Sequence, residues 1–397
     1  MLIMSRRTRL GVLFATVPLV VFTMVGGFLS QAAAREDTYR HLRIFEDVVS
    51  LIASNYVEEV DLDAVMKGAL RGLAGGLDPD SAFLAAEDVS RLEAGTALPE
   101  GELGLELTQQ YYIQIVAARD DSPAARAGLT AGDYLRTIDG KTTRFVSAVE
   151  AERLLRGEPG TTVSLSLLRG TTQEPYDIEL TRERVSAPNV TDRLIEAESG
   201  SELDAEIGYV RVAEFTPGVA QELKSRIDGL ADRGANRIVI DVRNTAGGLF
   251  EEGIAAARLF VATGTLLRRT EHDSQEIMVE ATAGSDAFEM PVVLLTNPGT
   301  AHAAELFVAS LTSTGRAETV GQRTSGRVSL QRLVKLSDGT GLWLSWARYL
   351  TGDGSPLHRF GVVAMVEVET PFIELGEPWP ADDAILERGL DHLRTLS

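Results

Sequence analysis

The chain has 397 residues, of which 44% are hydrophobic and 24% are charged. A chain of this size buries a large core and is expected to form two or three domains. Its formal net charge of −20 argues against nucleic acid, and against anionic lipid surfaces, as partners of the folded part. Cysteine is absent, so disulfide bonds and thiol catalysis are excluded.

The first 34 residues have the pattern of a bacterial export signal. Three arginines come first, residues 10–29 are apolar, and Ala32 and Ala34 form a candidate cleavage site. The apolar run is also long enough to cross a bilayer, so for residues 1–34 a cleaved signal peptide and a retained membrane anchor both stay open. The basic start places the rest of the chain outside the cytoplasm, in the bacterial cell envelope or periplasm, with membrane contact only through this segment.

Residues 35–97 are predicted to be an N-terminal helical region. Apolar residues at helical spacing predict one helix over residues 39–57. A second helix is predicted over residues 61–77, with Asp61 or Asp63 as its cap and two glycines at its end. Turn residues follow this helix, and residues 95–101 look like a linker.

Residues 98–186 are predicted to be a small domain of about five strands and two helices. The strand segments are ELGLEL, YYIQIVAA, DYLRTIDG, TVSLSLLR and YDIELTRE, and the helical segments are PAARAG and VSAVEAERLLRG. In residues 187–397, strands alternate with helices, which predicts a sheet covered by helices. Its strand segments are EIGYVRVAEF, RIVIDVRN, PVVLLTN, AETVGQ and LWLSWARYLT, and its helical segments are GVAQELKSRIDGLADRG, EEGIAAARLFVAT, AAELFVASLTSTG and ADDAILERGLDHLRT.

Several motifs in the same order resemble the carboxyl-terminal processing (tail-specific) serine peptidases. They are LDPDSAFL, DDSPAARAGLTAGDYLRTIDG, IVIDVRNTAGGLFEEG, NPGTAHAAELF and GQRTSGRVSLQ. The resemblance spans roughly residues 36–395. It implies a multidomain α+β fold with an N-terminal helical segment, a PDZ domain over 98–186 and a mixed α/β peptidase-like core over 187–397.

The resemblance implies a peptide-binding groove in the PDZ domain. Leu103, Gly104 and Leu105 stand at the start of a predicted strand, where a glycine lets successive N–H groups face a terminal carboxylate. A protein C-terminal peptide would then add as an extra strand, and a helix near residues 146–155 would form the other wall. A PDZ domain that serves only as a lid or spacer is the alternative.

The catalytic residues of the resembled family are replaced. Its motif Gly-[Ser/Thr]-Ala-Ser-Ala-x-Glu has His302 at the serine position, and its motif Gly-x-x-Thr-x-Gly-Lys-x-x-x-Gln has Arg327 at the lysine position. Gln331, which orients the dyad in the family, is kept. Since arginine does not lose its proton in a protein, Arg327 cannot act as the general base. Rescue by the hydroxyl of Thr300 or Ser310 is the remaining route to a nucleophile.

The other features of the site are compatible with binding rather than catalysis. Gly247 and Gly248 match the family glycines whose N–H groups help to form the oxyanion hole. With these donors, His302 and Arg327 could form an anion pocket, or Arg327 could pair with Glu305 or another acid. The five histidines are scattered without metal-ligand spacing, so neither a metal nor another cofactor is expected.

The sequence therefore predicts an exported, catalytically inactive relative that binds protein C-terminal peptides as a scaffold or regulator in the cell envelope. An active serine-type endopeptidase with a non-standard site, and a structural subunit with an unused PDZ groove, are the alternatives. The N-terminal helices have apolar faces, and the resemblance implies that such helices contribute to dimers, so a homodimer, or a heteromer with an active paralogue or an adaptor, is expected. Packing of these faces on their own core is the alternative.

Overall fold

A computed structural model describes residues 40–171, 174–186, 188–195, 207–282 and 286–396. The chain divides into two compact units, residues 1–69 and 70–397. The predicted signal or anchor, residues 1–34, lies outside the described residues. Within the described ranges, no helix combines the length and the apolar character needed to cross a bilayer.

Within its described residues, 40–69, the first unit contains one helix and the start of another, both of them predicted. Helix α1 covers residues 40–55, and α2, Leu62–Gly75, continues into the second unit. The Asp61 carboxylate accepts a hydrogen bond from the Ala64 N–H at 3.1 Å, so Asp61, rather than Asp63, caps α2. A turn follows α2, as expected, and residues 95–101 form neither a helix nor a named strand. Between them lie two elements that the sequence did not predict, strand β1, Ala82–Leu84, and helix α3, Ala86–Ala94.

The PDZ-like domain has one more strand than predicted. Its sheet has the order β2-β3-β4-β6-β7, with the short β5 paired to β4. The strands are β2 Leu105–Gln109, β3 Ile113–Ala118, β4 Tyr134–Ile138, β5 Lys141–Thr142, β6 Thr162–Leu168 and β7 Tyr176–Thr181. The helices are α4 Pro123–Arg126 and α5 Ala148–Leu155. Both begin at a serine whose side chain accepts a backbone N–H, Ser122 and Ser147, which is the usual N-cap interaction.

The core contains a six-stranded sheet with the order β17-β14-β13-β10-β9-β8. All its strand pairs are parallel except β8 with β9. Near-continuous apolar runs such as Val292–Thr296 fit strands that are covered on both faces. Helices α6, α7 and α8 pack on one face, and α9 packs on the other. The bounds are β8 Val190–Leu194, β9 Ile207–Val212, α6 Val219–Asp232, β10 Arg237–Asp241, α7 Phe250–Ala257, β13 Val292–Thr296, α8 His302–Ser313, β14 Glu318–Gly321, β17 Val366–Glu367 and α9 Ala384–Thr395.

A second sheet of the core has the order β1-β16-β11-β12, with β15 also paired to β16. Its remaining strands are β11 Thr265–Glu271, β12 Ile277–Glu280, β15 Ser329–Lys335 and β16 Gly341–Thr351. Only β16 was predicted from the sequence. Because β1 pairs with β16, the end of the predicted helical region is built into the core sheet.

The PDZ-like domain contacts the core at two places. On one side, Val116 and Ala117 of β3 form a buried cluster with Ala246 and Ala301, and the Asp120 carboxylate pairs with Arg211 at 2.8 Å. On the other side, the core segment 369–381, which we name the strap, lies against the PDZ-like domain. Its Leu375 packs on the hydrophobic core of that domain, and Arg169 donates a hydrogen bond to the Ile373 carbonyl at 3.0 Å.

Candidate functional site

The site is organised by the turn between β13 and α8, as the sequence predicted. Asn297 closes this turn, because its side-chain oxygen accepts the N–H groups of Asn244 at 2.9 Å and Gly299 at 3.0 Å. The turn is thereby joined to residues 242–248, and Ala301 donates its N–H to the Thr245 carbonyl at 3.0 Å. These contacts place Gly247 and Gly248 near the first residue of α8.

His302 is the first residue of α8 and has a positive φ of 50°, a conformation uncommon for a residue with a side chain. Its backbone N–H donates to the Arg327 carbonyl at 3.1 Å. Its Nδ1 lies 2.6 Å from the Ala246 carbonyl oxygen. Since a carbonyl can only accept, Nδ1 carries a proton and donates it to this hydrogen bond. The ring supplies no hydroxyl or thiol.

Gly247 and Gly248, which the sequence predicted as oxyanion-hole equivalents, directly follow Ala246, whose carbonyl contacts His302. The bridge that joins this turn to Phe215 uses the Gly247 carbonyl and the Leu249 N–H, so the N–H groups of the two glycines take no part in it. Gly248 has a φ of +100°, and an added Cβ would lie 2.3 Å from the Phe215 carbonyl oxygen. The turn therefore requires glycine at this position.

The Arg327 side chain forms an ion pair with Asp80. Arg327 is buried, with 8% of its surface exposed, and Asp80 belongs to the turn that follows α2. Burial lowers the pKa of the Arg327 guanidinium to about 10, and the nearby charge of Asp78 opposes this effect. Arg327 therefore stays charged at neutral pH, and its charge is already bound by an acid of this chain.

Glu305, the acid named from the sequence as a partner of Arg327, has a different role. Its carboxylate accepts the Gly326 and Arg327 backbone N–H groups at 2.6 and 2.7 Å, and also the Thr324 hydroxyl. Of the two partners left open for the Arg327 guanidinium, Glu305 or another acid, the structure therefore has the second, Asp80. Glu305 has no exposed surface, and burial raises the pKa of its carboxyl to about 7, against the effect of these three donors.

Gln331, on β15, is linked through other residues to Arg327, which stands at the position of the family base. Its side-chain amide donates to the Ser329 hydroxyl at 2.9 Å, and that hydroxyl donates to the Asp80 carboxylate at 3.0 Å. Gln331 therefore belongs to the hydrogen-bond network that holds the Arg327 and Asp80 pair.

Neither hydroxyl considered as a substitute nucleophile is free. Thr300 is buried and donates to the Val242 carbonyl at 2.8 Å. Ser310 is also buried and donates to the Leu306 carbonyl at 2.7 Å, within α8. A hydroxyl that donates to a backbone carbonyl in the interior cannot reach a peptide bond, so the described residues offer no replacement for the missing serine at these two positions.

The PDZ-like groove contains the three residues predicted for it. Leu103, Gly104 and Leu105 line a groove of about 350 Å³ between β2 and α5, and β2 is an edge strand of its sheet. Gly104 has a φ of +73°, and an added Cβ would lie 2.3 Å from the Ser122 Cβ. Glycine is thus required where the backbone turns towards the groove.

The groove also contains charged residues that the sequence did not single out. Glu106 on β2 and Glu214 of the core both lie near Arg119, at 4.0 and 3.7 Å. Burial raises the pKa of Glu106, whereas His302 and Arg119 lower it and Glu214 raises it further. The groove and the His302 turn are therefore close enough to interact electrostatically. Among the described residues, no group of three or more His, Asp or Glu side chains could hold a metal ion.

Comparisons with known proteins agree with this architecture. Residues 206–368 match the family model of peptidase family S41, and residues 114–169 match a PDZ domain model. A carboxyl-terminal-processing protease of Synechocystis sp. is 31% identical, with 80% of this chain and 74% of the relative covered. A carboxy-terminal-processing protease of Bartonella bacilliformis is 28% identical, with 89% of this chain and 83% of the relative covered.

A solved structure is similar over most of the chain. It is a photosystem II D1 C-terminal processing protease that is 29% identical, with a TM-score of 0.69, and the match covers 82% of this chain and 86% of that protein. The similarity includes both the PDZ domain and the peptidase core, so the multidomain fold predicted from the sequence is confirmed.

Proposed function

We propose that this chain, which belongs to the family of carboxyl-terminal-processing proteases, is a catalytically inactive member that binds protein C-termini through its PDZ domain. It acts in the bacterial cell envelope as a scaffold or as a regulator of an active relative. Export rests on the basic and apolar pattern of residues 1–34.

The buried ion pair of Arg327 with Asp80 carries the proposal. A serine–lysine mechanism needs a neutral amine beside a nucleophilic hydroxyl. At these two positions the chain has a guanidinium bound to a carboxylate and an imidazole bound to a carbonyl. The PDZ groove, in contrast, has an edge strand and a glycine turn that are suited to a peptide's terminal carboxylate.

The absence of catalysis is tested by incubating the purified chain with peptides that carry a free C-terminus and analysing the products by mass spectrometry. We expect no turnover by the parent chain or by a His302→Ala variant. Turnover that disappears in His302→Ala would overturn the proposal, because the imidazole would then take part in the chemistry. Turnover that persists in the variant would place the reactive group elsewhere in the chain, and would equally contradict inactivity.

Tail binding is tested with free-acid and C-terminally amidated forms of one peptide that ends in an apolar residue. The free acid is expected to bind at least about tenfold more tightly, because amidation removes the charged acceptor for the backbone N–H groups. A Gly104→Ala variant should lose binding of the free acid. Equal affinities for the two forms would favour a structural subunit with an unused groove.

A further inference from the structure

The groove between β2 and α5 has a surplus of negative charge. The carboxylates of Glu102, Glu106, Glu152 and Glu214 line it, whereas Arg119 and Arg156 are its only guanidinium groups among the lining residues. A concave, half-buried site concentrates such a potential more than an open surface does.

Arg119 and Arg156 both form their closest ion pair in the groove with the same acid, Glu102. Glu102 lies 3.1 Å from Arg119 and 2.8 Å from Arg156. Glu106 and Glu214 share Arg119 at the longer distances of 4.0 and 3.7 Å. Glu106 and Glu214 are therefore the less neutralised carboxylates, and their side chains are only 30% and 21% exposed. A positively charged group of a ligand would neutralise more of the charge of these two carboxylates.

The alternation of side chains along β2 determines which residue of a bound peptide lies near Glu106 and Glu214. Leu105 and Leu107 of β2 pack against the PDZ core, and Glu106, between them, points to the opposite face. A peptide that pairs with β2 has the same alternation, and side chains opposite each other across two strands share a face. If the last side chain of the peptide enters the apolar part of the groove, the side chain before it lies on the Glu106 face.

We propose that the PDZ groove selects protein tails with a lysine or arginine as the residue before the C-terminal one, and that Glu106 and Glu214 recognise this basic side chain. The inference rests on the proposed function, since it requires that the groove binds C-termini. Burial raises the pKa of Glu106, and the lowering effects of His302 and Arg119 do not fully offset it.

The test uses three fluorescent free-acid peptides that end in the same apolar residue and differ only in the preceding one, which is lysine, alanine or glutamate. Their affinities for the full-length chain are measured by anisotropy at low and high salt. The lysine peptide is expected to bind about fivefold more tightly than the alanine peptide, and the glutamate peptide more weakly than either. Salt should reduce these differences.

Two variants locate the effect. Glu106→Gln should remove most of the preference for lysine, measured as the ratio of the affinities for the lysine and alanine peptides. The matched control is Glu179→Gln, because Glu179 is an exposed residue on β7, at the other end of the sheet; it should keep the preference. Glu214→Gln is expected to act in the same direction as Glu106→Gln.

The outcomes separate this inference from the proposed function. If no free-acid peptide binds, tail recognition itself fails, and the preference with it. If the three peptides bind equally well, tail recognition stands and the charge preference is refuted. A lysine preference that survives in both Glu106→Gln and Glu214→Gln would also refute the role of these two residues.

Discussion

Arg327 shows how a single replacement in a catalytic site can be accommodated. A buried guanidinium needs a partner, since leaving a buried charge unpaired is strongly destabilising. Asp80 provides that partner; its carboxylate also accepts the Ser329 hydroxyl, and Gln331 donates to that hydroxyl. The position that matches the lysine base of the resembled family thus has a paired charge here.

We expect Asp80→Asn to lower the free energy of unfolding by about 3 kcal/mol, because the Arg327 charge would stay buried without its carboxylate. Urea denaturation followed by circular dichroism measures the change. The control is Glu93→Gln, which breaks the exposed pair of Glu93 with Lys335 and should cost no more than about 0.5 kcal/mol. Equal effects of the two variants would contradict the structural role of the Asp80 pair.

Glu305 makes stability dependent on pH. Its folded pKa of about 7 is higher than the ordinary value of 4.5, so the folded state holds the proton more tightly than the unfolded state does. The free energy of unfolding should therefore fall as the pH rises from about 4.5 to about 7, by up to about 3 kcal/mol. Glu305→Gln should flatten this slope in urea titrations at several pH values. An unchanged slope would show that another group is responsible.

At the scale of elements, the strap holds the PDZ domain from the side opposite β3. Ile373 and Leu375 are its half-buried residues, and the contact of Arg169 with the Ile373 carbonyl is joined to a buried pair of Arg169 with Asp133. The strap has no regular structure of its own, so its order depends on these contacts.

We expect Leu375→Glu to release the strap, because a carboxylate cannot remain against the apolar PDZ core without a partner. Hydrogen exchange read by mass spectrometry should increase in residues 369–381, with a smaller increase in the adjoining PDZ strands. Glu374→Gln, at an exposed neighbouring position, is the control and should leave exchange unchanged. Unaltered exchange in Leu375→Glu would show that the strap does not depend on this side chain.

The sequence predicted most elements of the PDZ domain and of the parallel sheet, because their apolar periodicities and glycine turns are local signals. It missed β1, β8 and β17, and also β11, β12 and β15, whose residues show no regular alternation of buried and exposed positions. The site was predicted only in part, because some of its residues belong to local motifs and others come together from distant parts of the chain. His302 and the two glycines belong to short motifs, whereas Ser329 and Asp80 are 249 residues apart in sequence, and no local pattern links them.

At the scale of the whole molecule, the first unit is expected to mediate assembly. In α1, Ile44, Val48 and Leu51 lie on one face and are 53%, 46% and 60% exposed, which is typical of a face that a partner covers. We predict a homodimer, or a heteromer with an active relative or an adaptor. Light scattering at micromolar concentration should give a mass above that of one chain, and Ile44→Glu with Leu51→Glu should reduce it to one chain. Glu46→Gln is the control, and a monomeric parent chain with no captured partner would contradict the prediction.

The two ends of the PDZ domain lie side by side. Glu102 and Glu183 exchange backbone hydrogen bonds of 2.9 Å in both directions, while β1, before the domain, is paired within the core. If the PDZ domain were removed, a short turn could therefore join the chain at Glu102 and Glu183, with little loss of chain entropy. Recombination at these two residues would exchange one recognition module for another without altering the order of the core strands. A chain of this architecture can in this way acquire new partners by grafting, provided that the contacts at Ala246 and Ala301, at Arg211 and at the strap are matched again.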